Sequence, residues 1–213
     1  QKSILNNDVS LLAGLNYYEN GKTYNSIAHI DSESLKDIYH KINLVPLAEY
    51  IPLSSMFPNL KSINIGQANF EPGNQHKIFN INSCKIGGMI CYESTFPQLN
   101  RQFVINGAEI LIYFINDGWY ETAPEPQQHA KQSIYRSIEF RRPVVRCANT
   151  GISQIIDKTG NITNRIDLNT AGVISENIVP SSGITFYAKY GDVFAIINIL
   201  FLSILLTLYS KRK

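Results

Sequence analysis

The sequence has few cysteines, and their positions exclude two common uses. Cys84, Cys91 and Cys147 are too few and too scattered to form a disulfide framework. No CxxC pair or Cys/His cluster has the spacing of zinc ligands, and the four histidines are scattered as well. We therefore expect neither structural disulfides nor a metal site.

The sequence also lacks a strong excess of charge of either sign. It has 19 Lys and Arg against 17 Asp and Glu, a formal net charge of +2. Such a small charge produces no basic field that would attract nucleic acid, so nucleic acid is not an expected partner. The apolar fraction of 44% is ordinary for a globular protein with a core, and 213 residues suffice for one large or two small domains.

The start of the sequence lacks an initiator methionine and the apolar run of a signal peptide. Its first ten residues read QKSILNNDVS. A secretory signal would need a continuous apolar stretch at this place. We interpret the chain as a fragment of a longer protein.

One long uncharged run is present, from Val193 to Tyr209, and SKRK follows it. As a helix rising about 1.5 Å per residue it would extend roughly 25 Å, near the lower limit for a membrane span. Tyr190 and Tyr209 would be interfacial anchors, and the basic end predicts a cytoplasmic C-terminus. The alternative is a buried core helix, but such helices rarely lack charge on every face. In a spanning helix, everything before Tyr190 lies on the outer side.

Strand and helix patterns alternate through the rest of the chain. The order indicates an α/β layered domain with helices outside a sheet core, ending near 188–191. Pro46 and Pro52 predict a loop, and Gly87-Gly88 indicates a bulge or a close backbone approach. The predicted strands 9–18 and 24–30 make a hairpin across the turn Asn20-Gly21, and 152–162 makes another that turns at Thr159-Gly160. Further predicted strands cover 77–81, 85–91 and 172–180, and two buried strands that end in polar residues cover 109–117 and 143–151. One predicted helix covers 96–107 and stops at Gly107; the other covers 124–142, with apolar positions at Ala130, Ile134 and Ile138.

Cys91 lies where a predicted strand gives way to a predicted helix. In layered α/β folds, sites gather at the carboxyl ends of strands. At such a turn a thiol is exposed beside helix N–H groups, which favour the thiolate. Free cysteine is also commonly buried and inert, so position alone leaves both interpretations open. We interpret Cys84 and Cys147 as packing residues.

A thiolate needs a charged partner, and the segment YHKINLVPLAEYIP offers Lys41 and Glu49. An ammonium near sulfur lowers the thiol pKa and can also stabilise an oxyanion. Most lysines are solvated surface residues. Lys41, however, precedes an apolar, proline-rich segment, which favours an inward orientation.

Four segments and the C-terminal helix together resemble apolipoprotein N-acyltransferases, bacterial membrane enzymes of the nitrilase or carbon–nitrogen hydrolase superfamily. The segments are YHKINLVPLAEYIP, GGMICYESTFP, INDGWY and QQHAKQSIYRSIEFRRPVVRCANTGIS. The patterns K-x-x-L-V-P-x-x-E-x-x-P and C-Y-E-x-x-F-P in combination separate this family from soluble nitrilases and amidases. The resemblance runs from about Val9 to the end of the chain.

The resemblance implies a fold and a set of site residues. The fold is a four-layer αββα sandwich followed by one C-terminal transmembrane helix. In the family's Glu–Lys–Cys triad, Cys91 matches the nucleophile and Lys41 matches the lysine that stabilises the oxyanion. Four further positions match residues that support the reaction or bind substrate: Glu49, Tyr92, Glu93 and Trp119.

The resemblance also implies a domain organisation and a location. Residues 1–189 would form an N-terminally incomplete carbon–nitrogen hydrolase domain, and residues 190–213 the transmembrane helix with a basic cytoplasmic tail. The protein would lie in the bacterial inner membrane with its catalytic domain on the periplasmic side.

The implied activity is N-acylation of the N-terminal S-diacylglyceryl cysteine of apolipoproteins. A phospholipid would donate the acyl group through a cysteine thioester, without a cofactor. The family's general-base glutamate precedes the segment that matches Val9, and neither Asp8 nor Glu19 fits it. Two alternatives stay open: a membrane-tethered amidase or nitrilase that hydrolyses a C–N bond, and an inactive binding fragment that lacks the base.

Overall fold

Two β-sheets face each other in this protein, and helices cover the outer face of the larger sheet. The computed structural model describes residues 9–31, 34–54, 56–57, 59–60, 69–118 and 124–211. The smaller sheet is antiparallel and consists of β1 (Leu11–Glu19), β2 (Lys22–Ile30) and β3 (Leu35–His40).

The predicted first hairpin is confirmed, and a third strand joins it. Asn20 and Gly21 turn the chain with positive φ angles of 52° and 77°, as a tight hairpin requires. Strand β3 was not predicted, because residues 32–41 look polar. Tyr39 is nevertheless almost fully buried. The strand is too short for its alternation to stand out, but it delivers Lys41 directly after its end.

The larger sheet has six strands in sequential order, and its centre is parallel. Because β5, β6 and β7 run in the same direction, their carboxyl ends lie at one edge, where sites of α/β folds gather. Its strands are β4 (Ile78–Ile81), β5 (Cys84–Ile90), β6 (Ile110–Ile115), β7 (Val144–Ala148), β8 (Ser153–Ile156) and β9 (Ile162–Ile166).

The Gly87-Gly88 pair marks a close approach between layers and not a bulge. The pairing of β5 with β4 and β6 is regular throughout. A Cβ atom on Gly88 would lie 3.0 Å from the Phe79 ring and 3.1 Å from the Ile27 side chain of the smaller sheet. This glycine therefore allows the two sheets to pack together just before β5 ends at the site.

Two helices pack on the larger sheet, as predicted: α1 (Pro97–Ile105) and α2 (Glu125–Phe140). The prediction that the apolar residues of α2 form its buried face is partly wrong. Ile138 is 45% exposed, whereas Ser133 and Arg136 are buried. The buried face of α2 carries several polar residues, and one of them, His129, contacts the 3₁₀ helix that contains Cys91.

Two further expectations are wrong. Residues 172–180 form no strand; Val173 and Val179 are 92% and 80% exposed on a segment that runs over the surface. Cys147 is exposed and is not a packing residue. Because side chains of a strand alternate, Arg146 points to the α2 side and Cys147 to the other face, which the described residues leave open.

A short helix, α3 (Phe186–Tyr190), connects the domain to α4 (Val193–Ser210). Helix α4 has a mean hydropathy of 2.3, and none of it is buried, so its length and composition fit a transmembrane helix. Arg101 of α1 donates from Nε to the Ala188 carbonyl and from Nη2 to the Lys189 carbonyl, both at 2.6 Å. This guanidinium therefore fixes the end of α3, and the start of α4, to the helix that follows the Cys91 turn.

We expect Arg101→Ala to loosen α3. Hydrogen bonds from a charged donor contribute about 1.5–3 kcal/mol each. Losing them should therefore accelerate hydrogen exchange of the Lys189 and Gly191 amides, which bond within α3, by about tenfold or more. Arg165→Ala removes an exposed arginine from β9 and serves as the control. Unchanged exchange in the Arg101 variant would contradict the role of this contact.

Candidate active site

Cys91 occupies a sharp turn at the carboxyl end of β5. The strand ends at Ile90, and a 3₁₀ helix (Cys91–Thr95) begins with Cys91 at a φ of +49°. This left-handed conformation costs a non-glycine residue about 1–2 kcal/mol. Its Sγ lies 3.8 Å from the carbonyl oxygen of Asn116, the residue after β6. Such strain persists only when the surroundings hold the turn, and it clusters at functional sites.

Glu93 connects this turn to the segment that follows β3. Its Oε2 accepts from the Ile90 amide at 2.8 Å. Its Oε1 accepts from the Tyr39 hydroxyl at 2.7 Å and from the Ile42 and Asn43 amides at 2.7 and 3.0 Å. Burial raises the pKa of Glu93, but all four contacts are donors and lower it. The fully buried carboxyl group thus joins the nucleophile turn to the residues directly after Lys41.

Lys41 and Glu49 form a buried ion pair beside Cys91. Lys41 Nζ lies 2.6 Å from Glu49 Oε2, and the lysine is 1% exposed. Glu49 also accepts from the Val45 amide at 2.7 Å and from Asn25 Nδ2 at 2.8 Å. The inward orientation expected for Lys41 is therefore observed, and Glu49 keeps the ammonium in place.

The surroundings of Cys91 act on its pKa in opposite directions. Burial raises the pKa of the thiol above its ordinary value, and this effect is the largest. The Lys41 ammonium, a backbone hydrogen bond with Asn116 and the Arg146 guanidinium lower the pKa, while Asp117 raises it. Because the net direction is upward, the thiol needs a base before it can attack a substrate.

A second polar network joins the turn to α2. His129 Nδ1 lies 2.8 Å from Asp117 Oδ1, and Arg146 Nη2 donates to Asp117 Oδ2 at 2.7 Å. On the other side of the ring, His129 Nε2 lies 2.9 Å from Ser94 Oγ and 3.2 Å from the Cys91 carbonyl oxygen. All four side chains of this network are buried.

Sequence reasoning did not identify this network. Asp117 was noted only as part of a polar strand end, and His129 was counted among the scattered histidines. Arg146 lies in a segment interpreted as a buried apolar strand. A charge in the middle of PVVRCA was the available signal, because a buried arginine requires a partner.

Three of these side chains could in principle bind a metal ion. Donor atoms of Cys91, Asp117 and His129 lie within 4.8 Å of one another. However, Asp117 already binds His129 and the Arg146 guanidinium, and this fixed positive charge opposes a cation at the same carboxylate. We interpret the cluster as a hydrogen-bonded network, and the expectation of no metal stays a prediction.

Tyr92 borders an open cleft next to the nucleophile. It is 37% exposed, and its ring stands edge-on to Phe96 at 4.7 Å between centroids. The cleft has a volume of about 770 Å³ and is lined on its other side by the Lys41–Glu49 loop and its continuation. Its lining includes the apolar residues Ile42, Leu44, Pro46, Ile51 and Phe70. Trp119 lies outside the described residues.

Five of the six predicted site residues thus fall in the described part of the chain. Cys91, Lys41, Glu49 and Glu93 converge through the contacts above, and Tyr92 faces the adjoining cleft. Their catalytic roles stay predictions, because contacts alone do not show turnover.

Comparison with known proteins places the chain in a family. The carbon–nitrogen hydrolase family matches residues 2–186, and the chain belongs to it. The chain is 35% identical over 173 residues to the apolipoprotein N-acyltransferase of Geobacter metallireducens and 34% identical over 177 residues to that of Thermotoga maritima. These alignments cover 81% and 83% of this chain but 33% and 35% of those proteins. The chain thus spans about a third of the length of these relatives.

Solved structures confirm the predicted fold. Nit3 of Saccharomyces cerevisiae, a member of the nitrilase superfamily, has a TM-score of 0.60 at 18% identity over 80% of this chain and 60% of its own. The glutamine-dependent NAD⁺ synthetase of Acinetobacter baumannii has a TM-score of 0.63 at 16% identity over 82% of this chain and 35% of its own. The fold is the αββα sandwich, of which the described residues supply both sheets and the helices over the larger one.

We expect the Cys91 thiol to ionise at a higher pH than an ordinary cysteine. Burial raises its pKa, so its rate of alkylation by iodoacetamide should reach half-maximum at a higher pH than that of N-acetylcysteine amide, a reference without a free carboxylate. Replacing Lys41→Met and Glu49→Gln together removes the ammonium without leaving a buried charge unpaired, and should move that pH further upward. A half-maximum at or below the pH found for N-acetylcysteine amide would contradict this electrostatic description.

Proposed function

We propose that this chain forms the catalytic part of an apolipoprotein N-acyltransferase. It would transfer an acyl group from a phospholipid to the α-amine of an N-terminal S-diacylglyceryl cysteine. One observation carries the proposal. Glu93 joins the turn that contains Cys91 to the segment of the buried Lys41, and most of this chain aligns with proteins named apolipoprotein N-acyltransferase.

The first half-reaction would acylate Cys91. A base removes the thiol proton, and the thiolate attacks the ester carbonyl carbon of the phospholipid. As the C–S bond forms, the carbonyl oxygen becomes an oxyanion, which Lys41 Nζ and the Tyr92 backbone N–H stabilise. The intermediate then expels the lysophospholipid alkoxide, which takes up the proton from the base. A thioester on Cys91 is left.

The second half-reaction would transfer the acyl group to nitrogen. The neutral α-amine of the lipoprotein cysteine attacks the thioester, and the same two donors stabilise the second oxyanion. The C–N bond forms, the C–S bond breaks, and the amine gives up one proton as Cys91 regains one. The product is an amide, and the enzyme returns to its starting state.

The base in this scheme would be the family's triad glutamate, which the resemblance places before the segment that matches Val9. The buried carboxylates around Cys91 in the described residues are committed to other partners. Glu49 binds Lys41, Glu93 accepts from four donors, and Asp117 binds His129 and Arg146. We therefore assign the proton transfer to none of them.

The membrane helix and the cleft support lipid substrates. Helix α4 would span the inner membrane with its basic end in the cytoplasm, which would place residues 1–189 on the periplasmic side. Arg101 fixes the end of α3, which lies just before that helix, to α1, so the nucleophile turn would stay close to the bilayer. The cleft beside Tyr92 is large enough for part of an acyl chain, and its lining includes apolar residues.

The alternative of a tethered amidase or nitrilase uses the same nucleophile with water as the acceptor. Its support is the shared αββα fold with Nit3. A transfer assay separates the two reactions. The full-length protein is incubated with phospholipid vesicles and a synthetic S-diacylglyceryl cysteine peptide, and the products are analysed by mass spectrometry.

We expect the wild-type protein to form the N-acylated peptide in a phospholipid-dependent manner. Cys91→Ser should lower the rate by more than roughly a thousandfold, because the hydroxyl is a far poorer nucleophile at this site. Cys147→Ser is the matched control and should stay within about twofold, because Cys147 is exposed and its thiol contacts none of the site groups above. Release of fatty acid or ammonia without transfer, or undiminished transfer by Cys91→Ser, would overturn the proposal.

A further inference from the structure

We propose that His129, held by its hydrogen bond to Asp117, is a positioning residue that orients the Cys91–Tyr92 peptide bond. Through that bond it would direct the Tyr92 N–H toward the oxyanion. This inference rests on the proposed function, because it assigns a task within the same acylation step.

The carbonyl oxygen of Cys91 has two side-chain contacts. Ser94 Oγ donates to it at 2.9 Å. His129 Nε2 lies 3.2 Å away and donates to it when the ring carries protons on both nitrogens, as in an ion pair with Asp117. Ser94 and His129 also contact each other at 2.9 Å. This carbonyl is therefore held from the α2 side by two buried groups of different secondary-structure elements.

Fixing this carbonyl also fixes an amide. A trans peptide unit is planar, so the Cys91 C=O and the Tyr92 N–H point in opposite directions. Tyr92 lies in the first turn of its helix, where an N–H has no acceptor within the helix. With the carbonyl held toward α2, the N–H points away from α2.

The turn requires such support because its backbone is strained. Cys91 has a φ of +49°, and a non-glycine residue leaves this region readily when nothing holds it. Glu93 fixes the turn through the Ile90 amide, before the nucleophile. His129 and Ser94 act on the carbonyl after it. The two networks together hold the Met89–Ile90 peptide bond before the nucleophile and the Cys91–Tyr92 peptide bond after it.

Asp117 and Arg146 hold the His129 imidazole in a fixed position. Asp117 Oδ1 accepts from His129 Nδ1, and its Oδ2 accepts from Arg146, which also donates from Nε to the Ile152 carbonyl at 2.9 Å. A Cβ atom on Gly151 would lie 2.3 Å from Asp117 Oδ2, so the backbone closes over this carboxylate. The His129 ring is thus fixed from Asp117 and presents Nε2 to the turn.

The same geometry argues against His129 as the base for the Cys91 thiol. Its Nδ1 is occupied by Asp117, and its Nε2 faces Ser94 and the Cys91 carbonyl. The Cys91 Sγ instead contacts the Asn116 carbonyl. His129 is therefore placed to hold the backbone of the nucleophile and not to deprotonate its side chain.

The test compares two reactions of Cys91 in the full-length protein. Acylation by p-nitrophenyl butyrate develops an oxyanion and is followed by the burst of p-nitrophenol. Alkylation by iodoacetamide needs the thiolate but develops no oxyanion. We expect His129→Ala to slow the burst by about a hundredfold to a thousandfold, the range for losing an oxyanion donor, and to leave alkylation within about twofold. His129→Gln, whose amide can donate to the Cys91 carbonyl, should recover part of the burst rate.

The test includes a control variant, and two results would contradict the proposal. His29→Gln replaces another buried histidine, on β2, and should change neither rate beyond about twofold. An unchanged burst in His129→Ala would overturn the proposal, and so would an equal loss of burst and alkylation. Failure of phospholipid-dependent transfer in the wild-type protein would refute the proposed function alone, because the ratio of burst to alkylation needs no lipid.

Discussion

The arrangement of this site depends on the buried carboxyl group of Glu93. It accepts hydrogen bonds from the amide before the nucleophile and from two amides after Lys41, which lie about 50 residues earlier in the chain. No other contact described above joins the nucleophile turn directly to the lysine segment. Since removing a carboxylate would leave several buried donors unpaired, this residue fixes the relative position of the thiol and the ammonium.

Around this connection, the fold positions the residues of the site, and polar side chains provide the charged groups near Cys91. The parallel strands β5, β6 and β7 end at one edge, so Cys91, Asp117 and the residues after β7 meet there. Glu49 holds Lys41 on one side, and α2 presents His129 on the other. His129 is therefore a polar residue on the buried face of α2 that serves the Cys91 turn.

Much of the fold and part of the site could be predicted from the sequence. The hairpin with the Asn20-Gly21 turn and the helix α1, which is followed by Gly107, depend on local features, and both are confirmed. The motifs around Cys91, Lys41 and Glu49 were recognisable because their spacing within the chain is short. The partners of Glu93, the His129–Asp117 pair and strand β3 depend on contacts between distant segments, which no local pattern encodes. The errors at Cys147 and at residues 172–180 came from treating apolar character as burial.

The central claim is that Cys91 carries the acyl group as a thioester. The most direct measurement incubates the full-length protein with a phospholipid of one defined acyl chain, without acceptor, and analyses the proteolytic peptides by mass spectrometry. We predict a mass increase of that acyl group on the peptide containing Cys91, removed by neutral hydroxylamine. An acyl adduct on another residue, or continued transfer to the acceptor peptide with Cys91 never modified, would contradict the account.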